Sequence, residues 1–148
     1  MSKISINVSE KYIESMSAEQ KEFLLRALTK MASIDNHFDE CEKKFIFELA
    51  DDLRLSPAVA KRIIDNTKDD SLFDDAQKQN NRTFALELIK ALCLLAHTDD
   101  ELSDTETLFI GKLGQAMGVE LEKIEQISNW VIDYLIWYQQ GKIIFEKV

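Results

Sequence analysis

One feature limits this chain more than any other: two segments, 64 positions apart, carry the same pattern. The segment around Asp35 reads LLRALTKMASIDNHFDECEKKFIFELADDL, and that around Asp99 reads LIKALCLLAHTDDELSDTETLFIGKLGQAM. They align without a gap and match at Ala27/Ala91, Leu28/Leu92, Ala32/Ala96, Asp35/Asp99, Glu42/Glu106, Phe45/Phe109, Ile46/Ile110 and Leu49/Leu113. Further on, Leu55 faces Val119 and Ile63 faces Ile127. Most of these are core-type residues that helical periodicity repeats unaided. The two matched acids within the loop are not. A repeat of this length implies one supersecondary unit used twice.

Each copy reads as helix, acidic loop, helix, short turn, helix. Ser17 with Gln20 is a capping-box signature, and it opens a helix bearing Leu24, Leu28, Met31 and Ala32 on one face. Phe45, Leu49 and Leu53 mark the next helix at four-residue spacing, and Pro57 after Ser56 suits the first position of a third, running to about Asn66. The stretch Asp65–Arg82 is polar and acidic and joins the halves, with a brief amphipathic turn at Leu72 and Phe73. Thr83 is the expected N-cap of the second copy. Its first helix carries Phe84, Leu88, Ile89, Leu92, Leu94 and Leu95 and is apolar nearly all round, which places it at the centre of the fold. Gly118 stands where a C-cap glycine belongs, and a last helix runs from about Leu121 to Gln139, with Gly141 ending it.

The expected fold is therefore all-α: an internally duplicated bundle of about seven helices, its two three-helix halves related by a pseudo-twofold axis. It forms a single domain over 1–148, with repeat 1 at about 18–66, a linker at 67–82, repeat 2 at 83–139 and a tail at 140–148. Composition agrees. Four glycines and one proline in 148 residues leave few breakers, and a 45% apolar fraction supplies a core without staples. Acidic residues outnumber basic ones 27 to 18 for a net charge of −9. That excludes nucleic acid and anionic lipid as main partners, since both need a basic footprint. Cys41 and Cys93 form no CxxC pair and read as small semi-buried thiols of a reducing cytosol. With no basic start and apolar run at Met1–Glu10, and no apolar stretch of the roughly 20 residues a membrane span needs, the expected location is cytoplasmic.

The loops are Asp35-Asn36-His37-Phe38-Asp39-Glu40-Cys41-Glu42 and Asp99-Asp100-Glu101-Leu102-Ser103-Asp104-Thr105-Glu106. Capping explains part of them. Asp39 with Glu42, and Ser103 with Glu106, are each an N-cap followed by a glutamate that reaches back to the backbone, and acids suit the first turn of a helix. It does not explain Asp35 and Asp99, four residues before the caps, nor the extra acids Asp100, Glu101, Asp104 and Glu40. Carboxylates gathered from both loops about a pseudo-twofold repel one another unless a cation lies between them, and their hard oxygens suit Ca²⁺ or Mg²⁺. The candidate metal ligands are Asp35, Glu42, Asp99 and Glu106, with Asp39, Asp100 and Glu101 as accessories. EF-hand spacing fails, because Ile110 falls where the bidentate glutamate belongs.

These residues carry a resemblance. A duplicated helical unit with Ala-x-x-Asp-Gly-x-hydrophobic-x-x-x-Glu in each copy resembles the tellurite-resistance TerB family and its wider TerB-like superfamily, which includes the N-terminal domain of membrane-anchored DnaJ-type co-chaperones. The match covers roughly Ala18 to Val131 and rests on Ala32, Asp35, Phe38 and Glu42, then Ala96, Asp99, Leu102 and Glu106. The glycine of the motif is Asn36 in one copy and Asp100 in the other, both tolerant of a left-handed backbone. The resemblance implies a cytoplasmic, all-helical, non-enzymatic module linked to tellurite or envelope stress, binding a divalent metal through these acids.

Other chemistry finds little support. His37 and Cys41 stand at a spacing that transition metals use, but the repeat sets His37 opposite Glu101 and His97 opposite Ser33, outside the shared pattern. No nucleophile elbow, glycine-rich phosphate loop or zinc-protease motif is present. Trp130, Tyr134 and Trp137 follow at i, i+4 and i+7 on the last helix, with Val131, Leu135 and Tyr138 on a neighbouring face. Burial against the body accounts for one such face. Two leave room for a protein partner or self-association, with the acidic loops then serving only as caps. The tail residues Ile143, Ile144 and Phe145 either pack back onto the body or swap into a neighbour.

Overall fold

The structure, a computed structural model, describes residues 10–34, 39–97 and 103–146. Within them lie eight helices and no strand: α1 (Glu10–Ser15), α2 (Ala18–Ala32), α3 (Glu40–Asp52), α4 (Pro57–Asp65), α5 (Leu72–Ala76), α6 (Arg82–Ala96), α7 (Asp104–Ala116) and α8 (Leu121–Glu146). The all-α expectation holds, and α1 adds a helix that the sequence pattern did not reveal. Six residues are too short to display a period, yet Ile13 and Met16 are buried.

Helix starts follow side-chain chemistry. Ser17 accepts from the Gln20 backbone N–H at 3.1 Å while Gln20 returns its amide oxygen to the Ser17 N–H at 3.0 Å, so two otherwise orphaned donors are satisfied at once. Ser56 caps α4 with Pro57 behind it, as expected. The start of α6 differs from expectation. Asn81, not Thr83, is its cap, accepting from Phe84 N–H at 2.9 Å, because an extended Asn places its short carbonyl over the first free amides better than Thr does.

Ends are equally specific. Gly118 takes a left-handed φ of 87°, and Val119 N–H reaches back to Gly114 O at 2.9 Å. The end of α3 makes the same turn with a side chain in place: Arg54 has φ 63°, and Leu55 N–H reaches Ala50 O at 3.1 Å. Only glycine enters this region without steric cost.

The core is built around two central helices. α6 packs on α2, α7 and α8, and α2 packs on α3, α4, α5 and α6. Ten of the 15 residues of α6 are buried, which places it at the centre as its all-round apolar pattern predicts. Phe23 of α2 and Phe84 of α6 meet edge to face, with ring centroids 6.2 Å apart. Where α7 crosses α6 and α8, Gly114 allows the approach: a Cβ there would lie 2.7 Å from Ile124 Cδ1 and 3.2 Å from Ile89 Cδ1.

The acidic joining stretch is clamped, not loose. Arg26 of α2 donates from Nε and Nη2 to the two oxygens of Asp69 at 2.7 and 2.8 Å, and from Nη2 to Asp75 at 2.9 Å. The Asp69 hydrogen bonds hold the guanidinium yet more firmly in its charged form. Lys30 donates to the Lys68 carbonyl and Ser33 to the Thr67 carbonyl. α5 then lies against α7 through a Phe73–Phe109 edge contact at 5.6 Å.

The end of α8 corrects the sequence expectation. Gly141 does not stop the helix, which continues to Glu146. One glycine costs a helix only about 1 kcal/mol, too little to end one whose earlier turns are held against α6 and α7. Nor do those residues pack back onto the body, since Ile143, Ile144 and Phe145 are all exposed. The cysteines differ from one another: Cys41 is exposed, while Cys93 is buried and its thiol is pushed up to about 11 by burial despite a hydrogen bond with Ser128.

Candidate functional site

Both expected capping boxes form. Asp39 Oδ1 accepts from Glu42 N–H at 2.8 Å, and Glu42 Oε1 accepts from Asp39 N–H at 3.4 Å. Ser103 Oγ accepts from Glu106 N–H at 3.1 Å, and Glu106 Oε1 from Ser103 N–H at 3.1 Å. The sequence does not show that both glutamates are also buried, Glu42 to 4% exposure and Glu106 to 8%. A carboxylate is costly to bury without hydrogen bonds or a positive field, and the helix N-terminus supplies both. Asp39, expected as an accessory ligand, is exposed and spends one oxygen on the cap.

The remaining predicted acids, Asp35, Asp99, Asp100 and Glu101, lie outside the described residues, as do His37, Phe38 and Leu102. Among the described residues, no group of three or more His, Cys, Asp or Glu side chains is placed to hold a metal ion. His97 ends α6 as its C-cap; its buried Nε2 has no hydrogen-bond partner among the described residues, and desolvation lowers its pKa, favouring the neutral ring.

The second candidate is α8. Over 26 residues it buries only Ile124 and Val131. Trp130 is 55% exposed and Trp137 69%, whereas Tyr134 is half-buried against the core. Three rings form a ladder along the helix: Trp130 stacks on Tyr134 with centroids 6.0 Å apart and planes 13° from parallel, and Tyr134 leads to Tyr138 at 6.4 Å. Ile136, Ile143, Ile144 and Phe145 extend the apolar surface, Phe145 being 82% exposed. Burial of the tryptophans, the simpler expectation, is thus not what the fold does. No helix among the described residues is long and apolar enough to cross a membrane.

Sequence reasoning missed Arg26 and Asp69. The pairing spans 43 positions, so no local pattern announces it; the only hint is an arginine set among Leu24, Leu25, Ala27 and Leu28, a residue type that enters such surroundings when a fork of acceptors awaits it.

No protein-family model matches the chain, and neither the curated proteins nor the solved structures include a match to it.

Proposed function

We propose that this chain is a non-enzymatic, TerB-like binding module that docks a protein partner through α8. The observation that carries this reading is the exposure of Trp130 and Trp137 on a helix that turns only two residues fully into the core. Monomer surfaces seldom leave a contiguous patch of this kind uncovered, and tryptophan is the residue most enriched where interfaces concentrate their energy. Immobilised chain is expected to retain its partner in the presence of chelator and to lose it on Trp137→Ala. Capture indifferent to that substitution removes the reading.

The TerB-like part rests on the repeat. Helix starts at Ala18 and Arg82, Glu40 and Asp104, and Pro57 and Leu121 are each separated by 64 positions. So are the left-handed turns at Arg54 and Gly118. These coincidences support a duplication, and with it the cytoplasmic, stress-linked role that the resemblance implies.

A second function for the same module is divalent-cation binding by Asp35, Glu42, Asp99 and Glu106. The burial of Glu42 and Glu106 at matched positions beside two acidic loops favours it. Millimolar Ca²⁺ or Mg²⁺ is then expected to raise the melting temperature in calorimetry, and Asp35→Asn with Asp99→Asn to abolish the rise. Melting unchanged by either ion counts decisively against it.

A further inference from the structure

The apolar surface of α8 has a period. Ile127, Trp130, Tyr134, Trp137, Gly141 and Ile144 follow one another at alternating spacings of three and four, the seam of a coiled coil. Trp130 and Trp137 stand exposed along this seam, and so does Ile144. One member breaks the pattern. Gly141 sits inside the helix, where glycine costs about 1 kcal/mol relative to alanine, and nothing lies within 4 Å of where its Cβ would be. Nothing within the chain requires a glycine there.

A second helix laid antiparallel along the seam gives the glycine a role. In an antiparallel coiled coil, a residue of one kind of seam position faces the other kind across the interface. Centred on Gln139, that pairing sets Trp137 of each copy against Gly141 of the other, and Tyr134 against Ile144. The largest exposed side chain meets the gap. The arrangement repeats itself under a twofold, as an isologous contact must. A parallel pairing instead sets Trp137 against Trp137 and leaves a void at Gly141.

Charge permits the same occupant. The chain carries −9, yet residues 127–146 contain only Asp133, Lys142 and Glu146. Two copies therefore meet here without strong repulsion, and a basic partner finds little to attract it. Trp137, Ile144 and Phe145 expose together roughly 450 Å², little more than half of the about 800 Å² per partner of a standard interface, which suits a weak, reversible pairing.

We infer that the partner of α8 is a second copy of this chain, paired antiparallel with Trp137 of each seated over Gly141 of the other. This rests on the proposed docking role of α8. Sedimentation of the full chain is expected to show a dimer with dissociation in the micromolar range, and Trp137→Ala to weaken it at least about 30-fold. Gly141→Leu is the sharper test. It improves helix propensity, so the fold is retained, but it fills the slot and dissociates the dimer; exchanging the pair, Trp137→Gly with Gly141→Trp, restores association. A chain that stays monomeric at about 100 µM, or a dimer that Gly141→Leu leaves intact, overturns the inference. If the monomer still captures another protein in a Trp137-dependent way, self-pairing alone has failed. Capture that ignores Trp137 removes the docking role as well.

Discussion

Arg26→Ala is expected to destabilise the fold by about 3 kcal/mol, because it strands a buried charge. Asp69 is only 6% exposed at its side chain and receives two of its hydrogen bonds from the guanidinium, which is itself 23% exposed. Removing one partner of such a pair costs far more than the pair is worth intact, since the remaining carboxylate keeps its desolvation penalty and loses its compensation. The partial exposure of Arg26 lets water recover some of the loss, which sets the figure at the lower end of the range for buried pairs. Melting should fall by about 6–12 °C, and urea titration should show it as a lower midpoint with unchanged slope. Arg26→Lys keeps the charge but not the two-pronged donor, so its loss should be intermediate. A loss below about 1 kcal/mol would mean that Asp69 relaxes to solvent and that the clamp contributes little.

Phe84→Ala should cost about 4 kcal/mol. The ring is fully buried at the first turn of α6 and meets Phe23 edge to face across the central helix pair. Truncation removes the transfer energy of the ring and leaves a cavity between helices whose positions other contacts fix. Phe84→Leu, which restores much of the volume, should cost no more than about 1.5 kcal/mol. A double-mutant cycle with Phe23→Ala isolates the ring pair, with an expected coupling of about 0.5–1.5 kcal/mol. An alanine variant losing less than about 2 kcal/mol would show that the start of α6 collapses into the space.

What the sequence made legible was local. Ser17, Asp39 and Ser103 announce helix starts because the cap and its reciprocal partner lie three positions apart, inside any reading window, and Ser56 does so because Pro57 follows it. α6 is recognisable as central because its apolar residues leave only the narrow stripe of Thr83, Glu87 and Lys90. What stayed hidden was set at a distance or by degree. The Arg26–Asp69 clamp joins residues far apart in the chain. The burial of Glu42 and Glu106 depends on neighbours that no spacing rule supplies. Gly141 reads as a stop, but one glycine costs too little to end a helix whose earlier turns α6 and α7 hold. The exposure of Trp130 and Trp137 was a choice between two faces, which only the packing of Ile124 and Val131 decides.

The placement of α6 also carries a consequence in time. α2 contributes eight buried residues, and part of its cover is a helix that begins only at Arg82. During synthesis the first five helices therefore emerge before the surface that seals them, and at translation speeds of about 5–20 residues per second the gap lasts a few seconds. For that interval the nascent chain holds Phe23 and its neighbours without Phe84 against them, and only the helices that precede Arg82 cover α2.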